Sequence, residues 1–183
     1  MKAVIYCTEM TETDQKQNMH HMIGERLLEE GLKELYGLEL KMEPRSREAH
    51  GKPFLTLQPK IHYNISHSGK YAVCAIGSRE LGIDVQEEKE ADFARILRRM
   101  VPLELQEEIL NSGNVKEAFY SQWVLREAYI KWTGEGLSRD MRKINLEEGW
   151  YQKFFVGEGY QAAIYAALPM EIEIRRRSVR ILE

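Results

Sequence analysis

The sequence has few of the features that mark secreted, membrane-embedded or nucleic-acid-binding proteins. It contains two cysteines, Cys7 and Cys74, with no CxxC pair and no Cys/His cluster, so neither a disulfide framework nor a zinc site is predicted. No segment approaches the ~18 consecutive apolar residues that a membrane-spanning helix needs. The 26 basic and 29 acidic residues give a net charge of −3, which provides no strong basic field for nucleic acid. We therefore expect neither a membrane nor a nucleic-acid partner.

The composition that is present predicts a soluble globular protein. Hydrophobic residues make up 43% and charged residues 30% of 183 residues, enough for one ordinary domain or two small ones. The opening MKAVIYCTEM is too short and too soon polar for a signal peptide, and we interpret it as a first strand. Both cysteines lie in apolar runs, so they are expected to be buried small hydrophobic residues. A cytoplasmic location is the simplest expectation.

Hydrophobic periodicity predicts an α+β protein in which a similar order of elements occurs twice. Helical spacing is seen over 15–36, 91–100, 103–110 and 115–132. Strand patterns occupy 3–7, 61–65, 71–76, 81–86, 150–156, 160–168 and 172–182, and 43–59 is expected to be loop. The segments 69–75 and 159–166 also resemble each other. These observations predict two related α+β halves, residues 1–80 and 81–183, with a seam near 77–82.

Two acidic residues stand out because of their positions in regular elements. Asp84 lies in a strand that alternates cleanly, where a carboxylate is costly to bury unless it is paired or bound to a cation. The alternative is a solvated acid at a strand end. Glu127 lies between Trp123 and Lys131 at helical spacing, so the three form one stripe. That stripe could line a site for an anion with its metal, or it could be a solvated Glu–Lys pair beside a core tryptophan.

A third candidate site lies between the two strand patterns 61–65 and 71–76. His67 stands among Asn64, Ser66 and a glycine, and hydroxyls with free backbone N–H groups at a turn suit phosphate oxygens. The same residue types are also those that any tight turn prefers. Lys52, in a Gly-Lys-Pro tripeptide, would by itself be an exposed loop lysine.

The order of five short motifs favours the functional interpretation of these residues over the structural one. GKP (51–53), NISHSG (64–69), GID (82–84), WxxREAxxK (123–131) and KxxGxGL (131–137) follow one another over nearly half of the chain. Together they resemble the 4'-phosphopantetheinyl transferases, specifically the monomeric Sfp type. The resemblance implies a pseudo-dimer of two α+β halves with the active site between them.

The resemblance also implies a reaction and a set of site residues. Such enzymes transfer the phosphopantetheine arm of coenzyme A to a serine hydroxyl of an apo acyl or peptidyl carrier protein, with magnesium, and release adenosine 3',5'-bisphosphate. Asp84 and Glu127 match the metal-binding acids. Glu127, or a metal-bound water that it orients, would be the general base. The expected contacts to the phosphates of coenzyme A are Lys52, Ser66, His67 and Lys131.

Three positions depart from the family pattern. Many relatives have a second acid where this chain has Gln86, whose amide oxygen would complete the metal site at some loss of affinity. Arg126 replaces the usual lysine before Glu127 and keeps the charge, so we count it among the residues that contact coenzyme A. In the first long helix, where relatives often place an arginine, the nearest matches are His20 and His21. Coenzyme A binding is therefore expected to be weaker or more pH-dependent.

The carrier protein is usually acidic, and a basic helix face offers a docking surface. Arg95, Arg98 and Arg99 lie at positions i, i+3 and i+4, although a solvated basic face is the alternative. The run Arg175–Arg177 with Arg180 is interpreted as a solvated tail. Two rival functions stay open: a non-catalytic relative that binds coenzyme A or carriers, and a metal-dependent phosphohydrolase. The carrier served, and magnesium against manganese, are also open.

Overall fold

A computed structural model describes residues 1–179 and confirms the α+β class. The helices are α1 (Glu12–Lys16), α2 (His20–Tyr36), α3 (Phe93–Met100), α4 (Leu103–Leu110) and α5 (Val115–Thr133). The strands are β1 (Lys2–Glu9), β2 (Arg45–Arg47), β3 (Pro53–Leu55), β4 (His62–Ser68), β5 (Tyr71–Gly77), β6 (Leu81–Glu87), β7 (Trp150–Lys153), β8 (Tyr160–Ala166) and β9 (Glu171–Arg177). No helix in this part of the chain is both long enough and apolar enough to cross a bilayer.

Two antiparallel-rich sheets carry the architecture. The first has the order β4-β5-β1-β9, in which β9 runs parallel to β1, and the second has the order β6-β8-β7. The strands β2 and β3 form a separate small hairpin. Helix α2 packs on the first sheet, and α5 packs on β6 and β8 of the second.

The two sheets share one hydrophobic core, which explains the alternation in their sequences. Ile5 of β1 and Val73 of β5 pack with Ile83 of β6 and Ile164 of β8. The other face of β1, with Tyr6, packs with α2 instead. Because β1 is buried on both faces, its sequence is a continuous apolar run rather than an alternating one.

The first helical pattern is interrupted in the structure. The sequence predicted one helix over 15–36, whereas α1 and α2 are separate. Thr11 begins α1 with a capping box to Asp14, and Asn18 takes a left-handed backbone conformation (φ 56°) between the two helices. Asparagine tolerates that conformation better than most residues, so the chain can turn here.

The C-terminal strand crosses to the first sheet. β9 lies within residues 81–183 but pairs with β1, so a boundary at 80/81 separates the two sheets except for this strand. The basic run on it is wrongly interpreted as a solvated tail, because Arg175 and Arg177 both pair with Glu34 of α2. Residues 180–183, with Arg180 and the end of the strand predicted over 172–182, lie outside the described residues.

Candidate active site

Helix α5 crosses strand β6 at Gly82, and this contact sets the geometry of the site. A Cβ atom at Gly82 would lie 2.1 Å from the carbonyl oxygen of Ala128 and 2.3 Å from the backbone nitrogen of Trp132. Only glycine allows so close an approach of strand and helix. The next residue on the same face of β6 is Asp84, which is thereby placed against the polar stripe of α5.

Asp84 is a buried carboxylate with three partners. Its side chain is on the face away from the shared core, and the residue is 1% exposed. The hydroxyl of Ser66 donates to Oδ1 at 2.7 Å, and Lys131 Nζ lies 2.6 Å from the same oxygen. The Gln86 amide donates to Oδ2 at 2.9 Å. A solvated strand-end acid is therefore excluded, and the burial needs the cation of Lys131 beside it.

Glu127 lies half-buried one helical turn before Lys131. Burial raises the pKa of its carboxyl, and the charge of Asp84 raises it further, whereas Lys131 lowers it. The two carboxylates repel each other, and the single charge of Lys131 offsets only part of their negative charge. The site can therefore accept a further cation. The third residue of the stripe, Trp123, does not reach it, since its ring packs on Phe119 (5.6 Å between ring centroids) in the α3–α5 core.

The donor set fits a divalent cation that keeps most of its waters. Among the described residues there is no cluster of three or more His, Cys, Asp or Glu side chains that could hold a metal. Magnesium, however, needs only one or two carboxylates together with substrate phosphates. Asp84 and Glu127 supply these, and the amide of Gln86 is already at hydrogen-bond distance from Asp84.

Ser66 and His67 lie in a strand and not in a turn, which corrects the sequence-based interpretation. β4 continues through Ser68, so that the backbone of Ser66 and His67 pairs with Val73 and Ala72 of β5. The strand alternation sends the side chains of these two residues to opposite sides. Ser66 points to Asp84, while the ring of His67 lies 5.1 Å from that of His20.

The two histidines are the cationic candidates on the first-sheet side. His20 contacts the carbonyl oxygen of Gly69 at 3.3 Å through Nε2. Burial lowers the pKa of His67, and so do the neighbouring charges of His20 and Lys131. An anion bound between them would relieve this effect by stabilising the protonated ring.

A cavity of about 550 Å³ opens beside His67. Asn64, Tyr63 and His21 contribute to its wall, and the β2–β3 hairpin contributes Arg45 and Arg47. Arg45 pairs with Glu25 at 2.6 Å. The sequence analysis missed both arginines because the hairpin was expected to be loop, and the only signal was the basic, proline-containing composition of 43–59.

Two predicted coenzyme A ligands have other partners. Lys52 Nζ contacts Glu80 at 2.5 Å and donates to the carbonyl oxygen of Trp132 at 2.8 Å, near the end of α5. Arg126 is 3% exposed and bonds Gln122 on its own helix. Burial lowers the pKa of this guanidinium to about 10. Neither side chain makes a hydrogen bond within the Asp84 cluster.

Comparisons with known proteins agree with the motifs and the fold. The family model described as "4'-phosphopantetheinyl transferase superfamily" matches residues 80–169, which include β6, α5 and both acids of the site. A 4'-phosphopantetheinyl transferase of Bacillus subtilis is 29% identical over 150 residues, covering 80% of this chain and 67% of the relative. The transferase psf-1 of Bacillus pumilus is 35% identical over 118 residues (64% and 51%).

The transferase Sfp of Bacillus subtilis strain 168 is 27% identical over 173 residues, covering 84% of this chain and 77% of the relative. The chain thus spans between 51% and 77% of the length of these relatives. Their names support a transferase and give no support to a non-catalytic binding protein. The chain therefore matches the model of the 4'-phosphopantetheinyl transferase superfamily over residues 80–169 and is similar to transferases of the Sfp type.

Proposed function

We propose that this protein transfers 4'-phosphopantetheine from coenzyme A to a serine hydroxyl of an apo carrier protein. The observation that carries the proposal is the cluster of Asp84, Glu127 and Lys131 at the crossing of β6 and α5. Phosphoryl transfer needs positive charge at the phosphates and a base at the nucleophile, and this cluster offers both. The names of the relatives support the same reaction.

Asp84 and Glu127 would hold a magnesium ion, with the Gln86 amide beside them. When bound, the ion supplies charge neutralisation at the diphosphate. A bound cation would also offset the repulsion between Asp84 and Glu127, which adds to the effect of burial on the pKa of Glu127. Lys131, now paired with Asp84, would then be free to contact a phosphate oxygen.

Glu127 is the residue we assign to the proton transfer. The serine Oγ of the carrier attacks the phosphorus that bears the pantetheine oxygen, and its proton passes to the Glu127 carboxylate. The bond from that phosphorus to the bridging oxygen breaks, and adenosine 3',5'-bisphosphate leaves. Half-burial on α5 beside Asp84 and Lys131 would place this carboxylate next to the attacking hydroxyl, within reach of its proton.

The nucleotide part of coenzyme A would occupy the 550 Å³ cavity. His67 lines it, with the ring of His20 5.1 Å from that of His67, and Ser66 and Lys131 lie with the acids. Arg47 and Arg45 add charge on the far side. Lys52 could contact coenzyme A only if it left Glu80, and Arg126 only if it left Gln122. We therefore consider both weaker candidates for coenzyme A binding than the other residues.

The carrier would dock on α3. Arg95, Arg98 and Arg99 are exposed, and none of them forms an ion pair with a residue in the described part of the chain. Arg95 and Arg99 border a cavity of about 250 Å³ that is otherwise lined by Ile96, Met100, Trp123 and Met141. Basic residues around an apolar recess suit an acidic amphipathic helix.

We also propose that one chain forms the complete site and works as a monomer in the cytoplasm. Ser66 comes from the first sheet, and Asp84 comes from the second sheet of the same chain. The free, buried cysteines Cys7 and Cys74 are compatible with a reducing compartment.

The decisive experiment mixes the protein with coenzyme A, magnesium and a panel of apo carrier proteins, read by intact-mass spectrometry. We expect one phosphopantetheine to be added to at least one carrier, and we expect EDTA or Asp84→Ala to abolish the gain. Coenzyme A binding without any gain on any carrier would contradict the proposal. Release of the bisphosphate in the absence of carrier would indicate a phosphohydrolase instead.

A further inference from the structure

Strands β4 and β6 lie side by side, but they belong to different sheets. From Asn64 onward, every second side chain of β4 accepts a hydrogen bond from a backbone N–H group of β6. Asn64 Oδ1 accepts from Ile83 at 3.0 Å, Ser66 Oγ from Val85 at 3.3 Å, and Ser68 Oγ from Glu87 at 3.0 Å. The sequence separation is 19 residues each time, so the three bonds form one regular series, the β4–β6 zipper.

The zipper fixes the backbone on both sides of Asp84. Its first two bonds hold the N–H groups of Ile83 and Val85, the residues directly before and after Asp84. A strand that slips by one residue turns every side chain to the opposite face. Asp84 would then leave α5 and enter the apolar core that Ile83 now occupies.

The middle bond also connects the zipper to the carboxylate. The hydroxyl of Ser66 accepts from the Val85 N–H group and donates to Asp84 Oδ1 at 2.7 Å. The same oxygen accepts from Lys131. A displacement of β4 against β6 would therefore move the hydrogen-bond donor of Asp84 as well as its backbone.

We propose that Asn64 and Ser68 are positioning residues, which hold β6 in the register that presents Asp84 to Glu127 and Lys131. The inference rests on the proposed function in assigning Asp84 to the metal. It gives the alternation Asn-x-Ser-x-Ser in β4 a role in positioning Asp84. Ser68 is the cleaner of the two to test, because Asn64 also lines the 550 Å³ cavity.

The test compares Ser68→Ala, Asn64→Ala and the double variant with the wild type. Ser68→Thr retains the hydroxyl, and Ile23→Val removes one methyl group from the first core as a matched control for lost stability. Amide hydrogen exchange is measured for Ile83, Val85 and Glu87. The dissociation constant of Mn²⁺ is measured by electron paramagnetic resonance with saturating coenzyme A, and coenzyme A affinity is measured separately.

We expect Ser68→Ala to accelerate exchange of the Glu87 amide and Asn64→Ala that of the Ile83 amide. Each should raise the Mn²⁺ dissociation constant, and the double variant should do so by about tenfold, the usual effect of losing groups that orient a metal ligand. Ser68→Thr and Ile23→Val should leave the constant unchanged, and Ser68→Ala should leave coenzyme A affinity unchanged.

Two outcomes would overturn the inference while leaving the proposed function intact. Unchanged exchange in both single variants would show that the zipper bonds do not protect these amides in solution. Faster exchange with unchanged Mn²⁺ affinity would show that the zipper only joins the two sheets. A wild type that binds no Mn²⁺ and modifies no carrier would instead overturn the proposed function, and the metal part of this inference with it.

Discussion

At the scale of single residues, the site depends on carboxylates that are kept out of water. Asp84 tolerates burial because Lys131, Ser66 and Gln86 all donate to it. Glu127 makes no such set of bonds, and its pKa is raised by burial and by Asp84. The two acids therefore have different surroundings, one contacted by three donors and the other desolvated, which suits two different roles in one site.

The variant Glu127→Gln should lose activity and gain stability in the absence of metal. The raised pKa means that Glu127 stabilises the fold below its unfolded pKa, and this contribution is lost as pH rises through the folded pKa. Near neutral pH, metal-free Glu127→Gln should therefore melt at a higher temperature than the wild type, with the difference disappearing in acid. Turnover should fall by about 10²- to 10⁴-fold, as for loss of a general base.

Thermal unfolding across pH and single-turnover transfer to a carrier check both parts. An equal melting temperature at all pH values would argue against a desolvated Glu127. Full turnover by Glu127→Gln would show that Glu127 is not the general base.

Replacing Gln86 by glutamate should raise the affinity of the site for the metal. Gln86→Glu adds a negative charge next to Asp84, and affinity for hard cations rises with ligand charge. We expect the magnesium concentration for half-maximal rate to fall by on the order of tenfold. Gln152→Glu, an exposed position on β7, makes the same charge change and should have no effect. If both variants behave alike, Gln86 does not face the metal.

At the scale of elements, the crossing of α5 over β6 brings the two acids together. Two glycines of the recognised motifs serve this crossing. Gly82 allows the close contact, and Gly134 ends α5 in a left-handed conformation (φ 71°), which few other residues adopt readily. A Cβ at Gly134 would lie 2.7 Å from Glu48 Oε2 and 3.4 Å from Lys52 Cδ, so the loop before β3 packs directly on this helix end. Sequence elements that look like binding motifs therefore also have packing roles.

Gly82→Ala should separate strand and helix. The added methyl group would lie 2.1 Å from a backbone carbonyl oxygen, which cannot move as a side chain can. We expect a loss of about 3 kcal/mol in the free energy of unfolding, at the upper end of overpacking effects, together with weaker metal binding. Denaturant unfolding and metal titration measure the two.

Gly113→Ala is the matched control, because a Cβ there meets nothing within 4 Å. It should fold with wild-type stability. If Gly82→Ala binds the metal with wild-type affinity, the close contact between α5 and β6 is not needed for the metal site.

At the scale of the whole molecule, the first sheet supplies the hydroxyl of Ser66, the second sheet supplies Asp84, and helix α5 supplies Glu127. The shared core and the β4–β6 zipper join them, and β9 returns the chain to the first sheet. The carrier-docking face that we propose on α3 contains none of these residues, so carrier binding and coenzyme A binding would use different surfaces. That separation predicts that the two can be changed independently.

The double variant Arg95→Glu and Arg99→Glu should raise the carrier KM by about tenfold or more, since like charges across an interface repel an acidic partner. The coenzyme A KM should stay unchanged. Lys33→Glu with Lys41→Glu makes the same change in net charge on exposed residues of the first half and serves as the control. Steady-state kinetics at two salt concentrations measure these constants. An unchanged carrier KM would show that the carrier does not dock on the basic face of α3.

The α+β class, most of the helices and strands, and the resemblance to one enzyme family could be predicted from the sequence alone. Asp84, Glu127 and Lys131 could be chosen because strand and helix periods are local properties, and they specify which side chains share a face. The order of five motifs then made the choice specific. The helix over 103–110 was predicted with the same limits that α4 has in the structure.

Which of the candidate residues lie in contact could be learned from the three-dimensional structure alone. Ser66 and His67 were assigned to a turn because Ser, His and Gly suit one, but pairing with β5 carries the strand through Ser68. Lys52 is held by Glu80 and a helix end, and Trp123 joins the core of α3 and α5. These outcomes depend on strand register and on contacts between residues far apart in the chain, and no local pattern encodes them.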